Sequence, residues 1–117
     1  SLFIIFILPR TPQFSLFPYT TLFRSKALTI VIYSKLIQPF DLVLRIHDEH
    51  HNDDYSDRYN TKLTVNKGMN YFRILLDDIN NSPSNREMNM MRIKELILFS
   101  AQPAEGLHFY VGKMRLE

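Results

Sequence analysis

The sequence predicts an all-β domain, an antiparallel β-sandwich, and two observations lead to this prediction. Apolar residues recur at every second position in most segments of residues 27–117, which is the period of strands with one buried face. Gly, Asn and Pro separate these segments at short intervals, as turn residues do. The chain contains no Cys, which excludes disulfides and thiolate metal sites. Residues 26–117 suffice for one small domain.

Two apolar segments begin the predicted strands. The segment ALTIVIYS at Ala27–Ser34 is almost continuously apolar, which is typical of a strand covered on both faces. In the segment LVLRIHD, Leu42, Leu44 and Ile46 lie on one face of a strand and alternate with side chains on the other face.

A hairpin is predicted next. The segment TKLTV alternates Leu63 and Val65 with polar residues, and NKG at residues 66–68 supplies a turn in which Gly68 can adopt a positive φ. After the turn, the segment MNYFRILL presents apolar side chains to the core at alternate positions, namely Phe72, Ile74 and Leu76.

The C-terminal segments give two more strands. ELILFSA and LHFYVGKMRL both have strand character, and a turn at residues 103–106 is predicted between them. The connection SPSNREMNMMRIKEL precedes them and contains good helix formers. We predict a short helical turn inside this connection.

Residues 1–25 carry a different kind of signal. The apolar run LFIIFIL is far shorter than the roughly 20 residues that span a bilayer, and it lacks the flanks of a signal peptide. The following LFPYTTLFRS at residues 16–25 resembles the translation of CTCTTTCCCTACACGACGCTCTTCCGATCT, a short-read library adapter. We therefore interpret residues 1–25 as an adapter-derived artefact that belongs to no domain, and residues 26–117 as a partial domain.

This interpretation changes the charge balance. The chain has 14 basic and 12 acidic residues, but Arg10 and Arg24 lie in residues 1–25, which leaves 12 of each sign in residues 26–117. A neutral domain gives no general electrostatic attraction to nucleic acid or to an anionic membrane. We therefore expect neither nucleic acid as a partner nor membrane contact, except through an upstream region of a parent protein.

Three long segments together resemble the C-terminal two-thirds of a galactose-binding-like jelly roll. They are LVLRIHDEHHNDDYSDRYN, VNKGMNYFRILLDDINNSPSNREMNMMRIKELILF and FYVGKMRLE. The variant with the nearest resemblance is the extramembrane domain of some bacterial VanZ-like membrane proteins. The resemblance implies a carbohydrate-binding-like module of a larger bacterial protein, without a cofactor, that reaches a membrane or an extracytoplasmic location through that parent.

The chain departs from this family in two ways. The family's first strands, which often carry Trp, have no counterpart here, so the resemblance implies an N-terminally truncated jelly roll in which Ala27–Ser34 lies at an open, aggregation-prone edge. In the last strand Gly112 stands where the family often has Asp. This departure places in doubt any polar or ion-binding role at that position.

A cluster of His and acidic residues in HDEHHNDD suggests a metal site. Imidazole and carboxylate groups suit Zn²⁺ and similar ions, so His47, Asp48 and His50 are candidate ligands. The alternative is a solvated loop whose Asp and Asn side chains accept local backbone hydrogen bonds.

The motif DRY that follows offers two further interpretations. Arg58 can form a bidentate pair with Asp48 on the preceding strand, as a structural clasp. Alternatively, Arg58 contacts a ligand together with Tyr55 and Tyr59, whose rings could stack on a sugar.

Catalysis has little support in the sequence. No nucleophile motif or glycine-rich phosphate loop is present, and Asp77 and Asp78 point to opposite faces if they lie on a strand. The first hypothesis is therefore a non-enzymatic carbohydrate-binding-like or interaction module. The alternatives are a metal-dependent enzyme fragment that uses the cluster at residues 47–57, and a purely structural accessory domain that packs against the missing part of its parent protein.

Overall fold

The structure is a computed structural model that describes residues 3–9, 22, 24–100 and 108–117, with the backbone alone in residues 3–9. The described residues confirm an all-β fold and form seven strands: β1 (Phe3–Pro9), β2 (Ala27–Ser34), β3 (Phe40–Asp48), β4 (Tyr59–Val65), β5 (Gly68–Leu75), β6 (Ile93–Ser100) and β7 (Phe109–Leu116). A short helix, α1 (Leu76–Asn80), follows β5, and 3₁₀ turns occupy Tyr55–Asp57 and Met90–Arg92. In this part of the chain no helix has the length and apolar character needed to cross a membrane.

The strands form two antiparallel sheets. One has the order β1-β6-β3-β4 and the other the order β5-β2-β7. The prediction that Ala27–Ser34 lies at an open edge is wrong, because β2 is the central strand of its sheet. β2 was also expected to be buried on both faces, but its outer face is only partly buried: Val31 is half-buried and Tyr33 is exposed.

One buried core draws on both sheets. The side chains of β2, β3 and β4 that alternate toward it are fully or almost fully buried, as predicted for β3 and β4: Leu28, Ile30, Ile32, Leu42, Leu44, Ile46, Leu63 and Val65. Ile74 of β5 and Leu76 join the same core, while Phe72 packs against it half-buried. Leu76 reaches the core from the start of α1, because the chain leaves the sheet one residue earlier than the apolar pattern predicts.

The predicted turns have different outcomes. Gly68 has φ 96°, so the turn at residues 66–68 uses the backbone freedom of glycine. The short helical turn expected in the long connection is found at Met90–Arg92. Asp77 and Asp78, however, lie in the first turn of α1 and not on a strand, and both are exposed. The turn predicted at residues 103–106 lies outside the described residues.

Removal of residues 1–25 tests the adapter interpretation. In the structure β1 pairs with β6, and Leu22 packs against the core. Because an adapter-derived segment has no evolved packing partner, we expect a chain that starts at Lys26 to unfold at the same temperature as the full chain or a higher one. Thermal unfolding followed by circular dichroism measures this. A loss of several kcal/mol in the free energy of unfolding would show that residues 1–25 belong to the domain.

Candidate functional site

The candidate site lies where two irregular segments meet at one end of the four-stranded sheet. These segments are the rim loop (residues 49–58), between β3 and β4, and the connection (residues 81–92), between α1 and β6. The backbone N–H of Ser84 donates to the carbonyl of Ser56 at 2.9 Å. The backbone N–H of Glu49 donates to the carbonyl of Arg92 at 3.0 Å. The two segments are therefore fastened to each other at both ends.

The strand period places a carboxylate inside the protein at this end. Asp48 is the last residue of β3 and lies on the same buried face as Leu42, Leu44 and Ile46. Its exposed fraction is 0%. A buried carboxylate is very costly unless charge and hydrogen bonds compensate it, so Asp48 requires a cationic partner.

Arg86 of the connection is that partner, and it binds two carboxylates at once. Its Nη1 and Nη2 donate to the two oxygens of Asp48 at 2.6 and 2.8 Å. Its Nε and Nη2 donate to the two oxygens of Asp57 at 2.9 and 3.0 Å. Nη1 also donates to the carbonyl of Glu87 at 3.2 Å, so all five guanidinium N–H groups have acceptors. We call this group (Asp48, Asp57 and Arg86) the Arg86 clamp.

The clamp holds its members in their charged forms. Burial would raise the pKa of Asp48, but hydrogen bonds from Arg86 and from the backbone N–H of Asn89 outweigh it and lower that pKa. The Arg86 hydrogen bonds are the main reason that the pKa of Asp57 falls to about 2. In turn, the bonds to Asp48 and Asp57 raise the pKa of Arg86 above its usual range. Two carboxylates and one guanidinium are therefore ionised at neutral pH.

The structure corrects the predicted clasp between Asp48 and Arg58. Asp57 is buried at the end of the 3₁₀ turn, and Arg58 follows it in an extended conformation that directs its side chain elsewhere. The Nε of Arg58 donates to Oδ1 of Asn60 at 3.3 Å, and the guanidinium lies 5.3 Å from the centre of the Tyr55 ring. A clasp exists, but Arg86 supplies its cation.

The described residues do not bring the predicted metal ligands together. His47 and Asp48 are neighbours on a strand and point to opposite faces, and Nε2 of His47 lies 3.4 Å from Glu95. The oxygens of Asp48 already accept hydrogen bonds from Arg86, Asn89 and the backbone N–H of His50. Across the described ranges, no group of three or more His, Cys, Asp or Glu side chains is placed to hold a metal ion.

His51, which was not among the three candidate metal ligands, stabilises the rim loop. Its Nδ1 lies 3.0 Å from the carbonyl of Asp57, and its ring centre lies 4.7 Å from that of His47. The backbone N–H of Asn52 donates to the Asp57 carboxylate at 3.1 Å. The His and Asn residues of this loop therefore hold Asp57 in position.

The structure brings the three predicted ligand-binding residues together around one cleft. Tyr55, Arg58 and Tyr59 line a cleft of about 370 Å³. Polar side chains from the rim loop, β4, α1 and the connection complete the lining, namely Ser56, Asn60, Asp78, Ser82 and Ser84. The Tyr55 side chain is 71% exposed, whereas Tyr59 is half-buried and its burial raises its pKa. We call this cavity the tyrosine cleft.

Comparisons of the chain with protein-family models, with curated proteins and with solved structures find no match. Function must therefore be inferred from the geometry of the rim loop and of the tyrosine cleft.

Proposed function

We propose that the protein is a non-enzymatic carbohydrate-binding module and that a neutral sugar binds in the tyrosine cleft. One observation supports the proposal: a single cleft contains an exposed aromatic ring, a cationic hydrogen-bond donor and an anionic hydrogen-bond acceptor. The C–H face of a sugar ring can pack on the Tyr55 ring. Arg58 can donate to sugar hydroxyl groups and Asp78 can accept from them, since both line the cleft.

The Arg86 clamp supports this function by fixing the cleft before a sugar arrives. Tyr55 and Ser56 directly precede the clamped Asp57, and Ser56 is also bonded to Ser84 of the connection. The guanidinium of Arg58 lies over the Tyr55 ring and restrains it further. A site that is ordered in advance loses less conformational entropy on binding, and its affinity is correspondingly higher.

The proposal includes the finer fold assignment. Two antiparallel sheets that share one core are compatible with a sandwich of the galactose-binding-like jelly-roll type. Binding residues are commonly carried by loops on a rigid scaffold, and the rim loop extends from one end of the four-stranded sheet. A parent protein of the VanZ-like bacterial type, implied by the sequence resemblance, belongs to the same proposal.

Tyr55→Ala tests the sugar site directly. We expect it to weaken binding of the best glycan from an array screen at least tenfold, because the largest exposed apolar surface of the cleft is lost. The free energy of unfolding should change by less than about 0.5 kcal/mol, since the side chain lies on the surface. Isothermal titration calorimetry measures the affinity.

Ile37→Ala is the control for this variant. Ile37 is 78% exposed in the segment between β2 and β3, so its removal takes away exposed apolar surface that is not part of the cleft. Equal affinities of Tyr55→Ala and the unaltered protein would reject the cleft as the sugar site. If no glycan binds at millimolar concentration, the alternative of a purely structural accessory domain is favoured.

A further inference from the structure

The outer face of the three-stranded sheet is rich in aromatic and basic side chains. The residues that carry them lie outside the rim loop in the sequence. The side chains of this face point away from the core on all three strands. We call it the tyrosine face and define it by Tyr33, Tyr71, Arg73, Tyr110, Lys113 and Arg115, all of which are exposed.

The strand register arranges this face in rows. Tyr33 of β2 pairs with Met69 on one side and Tyr110 on the other, and the Tyr33 and Tyr110 ring centres lie 6.2 Å apart. Four residues earlier on β2, Thr29 pairs with Arg73 and Arg115. The aromatic row and the arginine row are therefore separated by about 13 Å along the strands.

A hollow of about 340 Å³ lies in this face. Val31 and Gly112 lie side by side in its floor, and Tyr33, Met69, Tyr110 and Lys113 surround them. A Cβ atom added to Gly112 would lie 3.6 Å from the Cβ of Val31, at ordinary contact distance. Because Gly112 has no side chain, a space large enough for one flat ring stays open between these residues.

The charges of this face are unbalanced. Within the described residues, Arg73, Lys113 and Arg115 have no carboxylate partner within 4 Å. The acid beside them is Glu117, whose carboxylate accepts a hydrogen bond from the Tyr71 hydroxyl at 2.8 Å. Five of the 12 acidic residues lie instead between positions 48 and 57, at the rim loop. The face is locally cationic although residues 26–117 are neutral overall.

We propose that the tyrosine face binds single-stranded nucleic acid. A base stacks in the hollow against Tyr33 and Tyr110, and Lys113, Arg73 and Arg115 contact the phosphates. Aromatic rings beside a cationic surface are the combination that single strands require, because their bases are free to stack and their backbone is anionic. A neutral sugar offers no negative charge to match the three cations, and the paired bases of a duplex could not enter the hollow.

The test measures binding of fluorescein-labelled dT₁₂ to the full chain by fluorescence anisotropy, at several salt concentrations. Gly112→Val fills the hollow with a residue that suits a strand, and we expect it to weaken binding roughly tenfold, as loss of one stacked base does. The double variant Arg73→Ala/Arg115→Ala should weaken binding and reduce the salt-dependence slope by about two. Circular dichroism verifies that each variant is folded.

The control is Lys62→Ala/Lys94→Ala, which removes two exposed cations from β4 and β6 of the other sheet. Affinity unchanged by this control, but reduced by the other two variants, would support the proposal. It is overturned if dT₁₂ does not bind at 50 mM salt or if the control weakens binding as much as the arginine variant. Binding of a sulfated polysaccharide in place of dT₁₂, or a dimer that Gly112→Val dissociates, would also overturn it by assigning the face to another occupant.

Discussion

Arg86→Ala is expected to lower the free energy of unfolding by about 3 kcal/mol or more, because it leaves two carboxylates in the protein without their cation. Asp48 is fully buried, and the Asp57 side chain is only 12% exposed, so both carboxylates depend on the guanidinium for the charge and hydrogen bonds that compensate their burial. For a domain of this size such a loss lowers the unfolding temperature by about 10 °C or more. Urea unfolding at pH 7, followed by circular dichroism, measures the free energy.

Arg58→Ala is the matched control, since it removes the same side chain from the same end of the protein. Arg58 has one long hydrogen bond to Asn60 and a contact with the exposed Tyr55 ring. We expect its removal to cost about 0.5 kcal/mol or less, as at other surface positions. If the two variants lose equal stability, or if Arg86→Ala loses less than about 1 kcal/mol, the clamp does not stabilise the fold as inferred.

The faces and bounds of several strands could be predicted from the sequence, whereas the strand order could not. Alternation of apolar residues predicted the buried faces of β3 and β4, because a strand face is set by positions two residues apart. The bounds of β2 were likewise predicted from its own residues. The sequence could not predict that β2 is central, because strand order depends on pairings between segments that lie far apart in the chain.

In the candidate site, too, contacts between sequence neighbours could be predicted, and contacts between distant residues could not. Tyr55, Arg58 and Tyr59 lie within five positions of one another, and their proximity in the tyrosine cleft follows from the short 3₁₀ turn between them. The partner of Asp48 lies 38 positions away, so no local spacing indicates it. Arg58 was the nearest basic residue after Asp48 in the chain, and sequence distance favoured it. One available signal was Asp48 itself, since a carboxylate in phase with three core residues needs a cation.

At the tyrosine face, the distribution of charged residues matters more than their total number. Equal numbers of acidic and basic residues predicted no attraction to nucleic acid. The fold nevertheless distributes the two signs unevenly, because β5 and β7 place Arg73 and Arg115 on both sides of Thr29, while five of the 12 acidic residues lie between positions 48 and 57. Net charge limits the average field of a protein, but a partner meets only the local field.

The stabilising effect of the clamp should disappear in acid. The pKa of Asp57 is about 2 in the folded protein against an ordinary value of 3.8, and the pKa of Asp48 is also lowered. Above pH 3.8 the carboxylate is ionised in both the folded and unfolded states, so its full stabilisation is present. As the pH falls from about 4 toward 2, the unfolded chain binds protons first, and this stabilisation is lost progressively.

Asp57→Asn isolates this contribution from that of the other carboxylates. The variant keeps a side chain of the same shape, but it lacks the charge that Arg86 binds and cannot titrate in this range. At pH 7 we expect it to be less stable than the unaltered protein, and we expect the difference to shrink as the pH falls from 4 to 2, where Asp57 itself becomes protonated. Urea unfolding of both proteins at pH 7, 5, 4, 3 and 2.5 gives the difference at each pH. A difference that stays constant from pH 7 to 2.5 would show that Asp57 ionises in the folded protein as it does in the unfolded chain, and that the Arg86 clamp does not hold its charge.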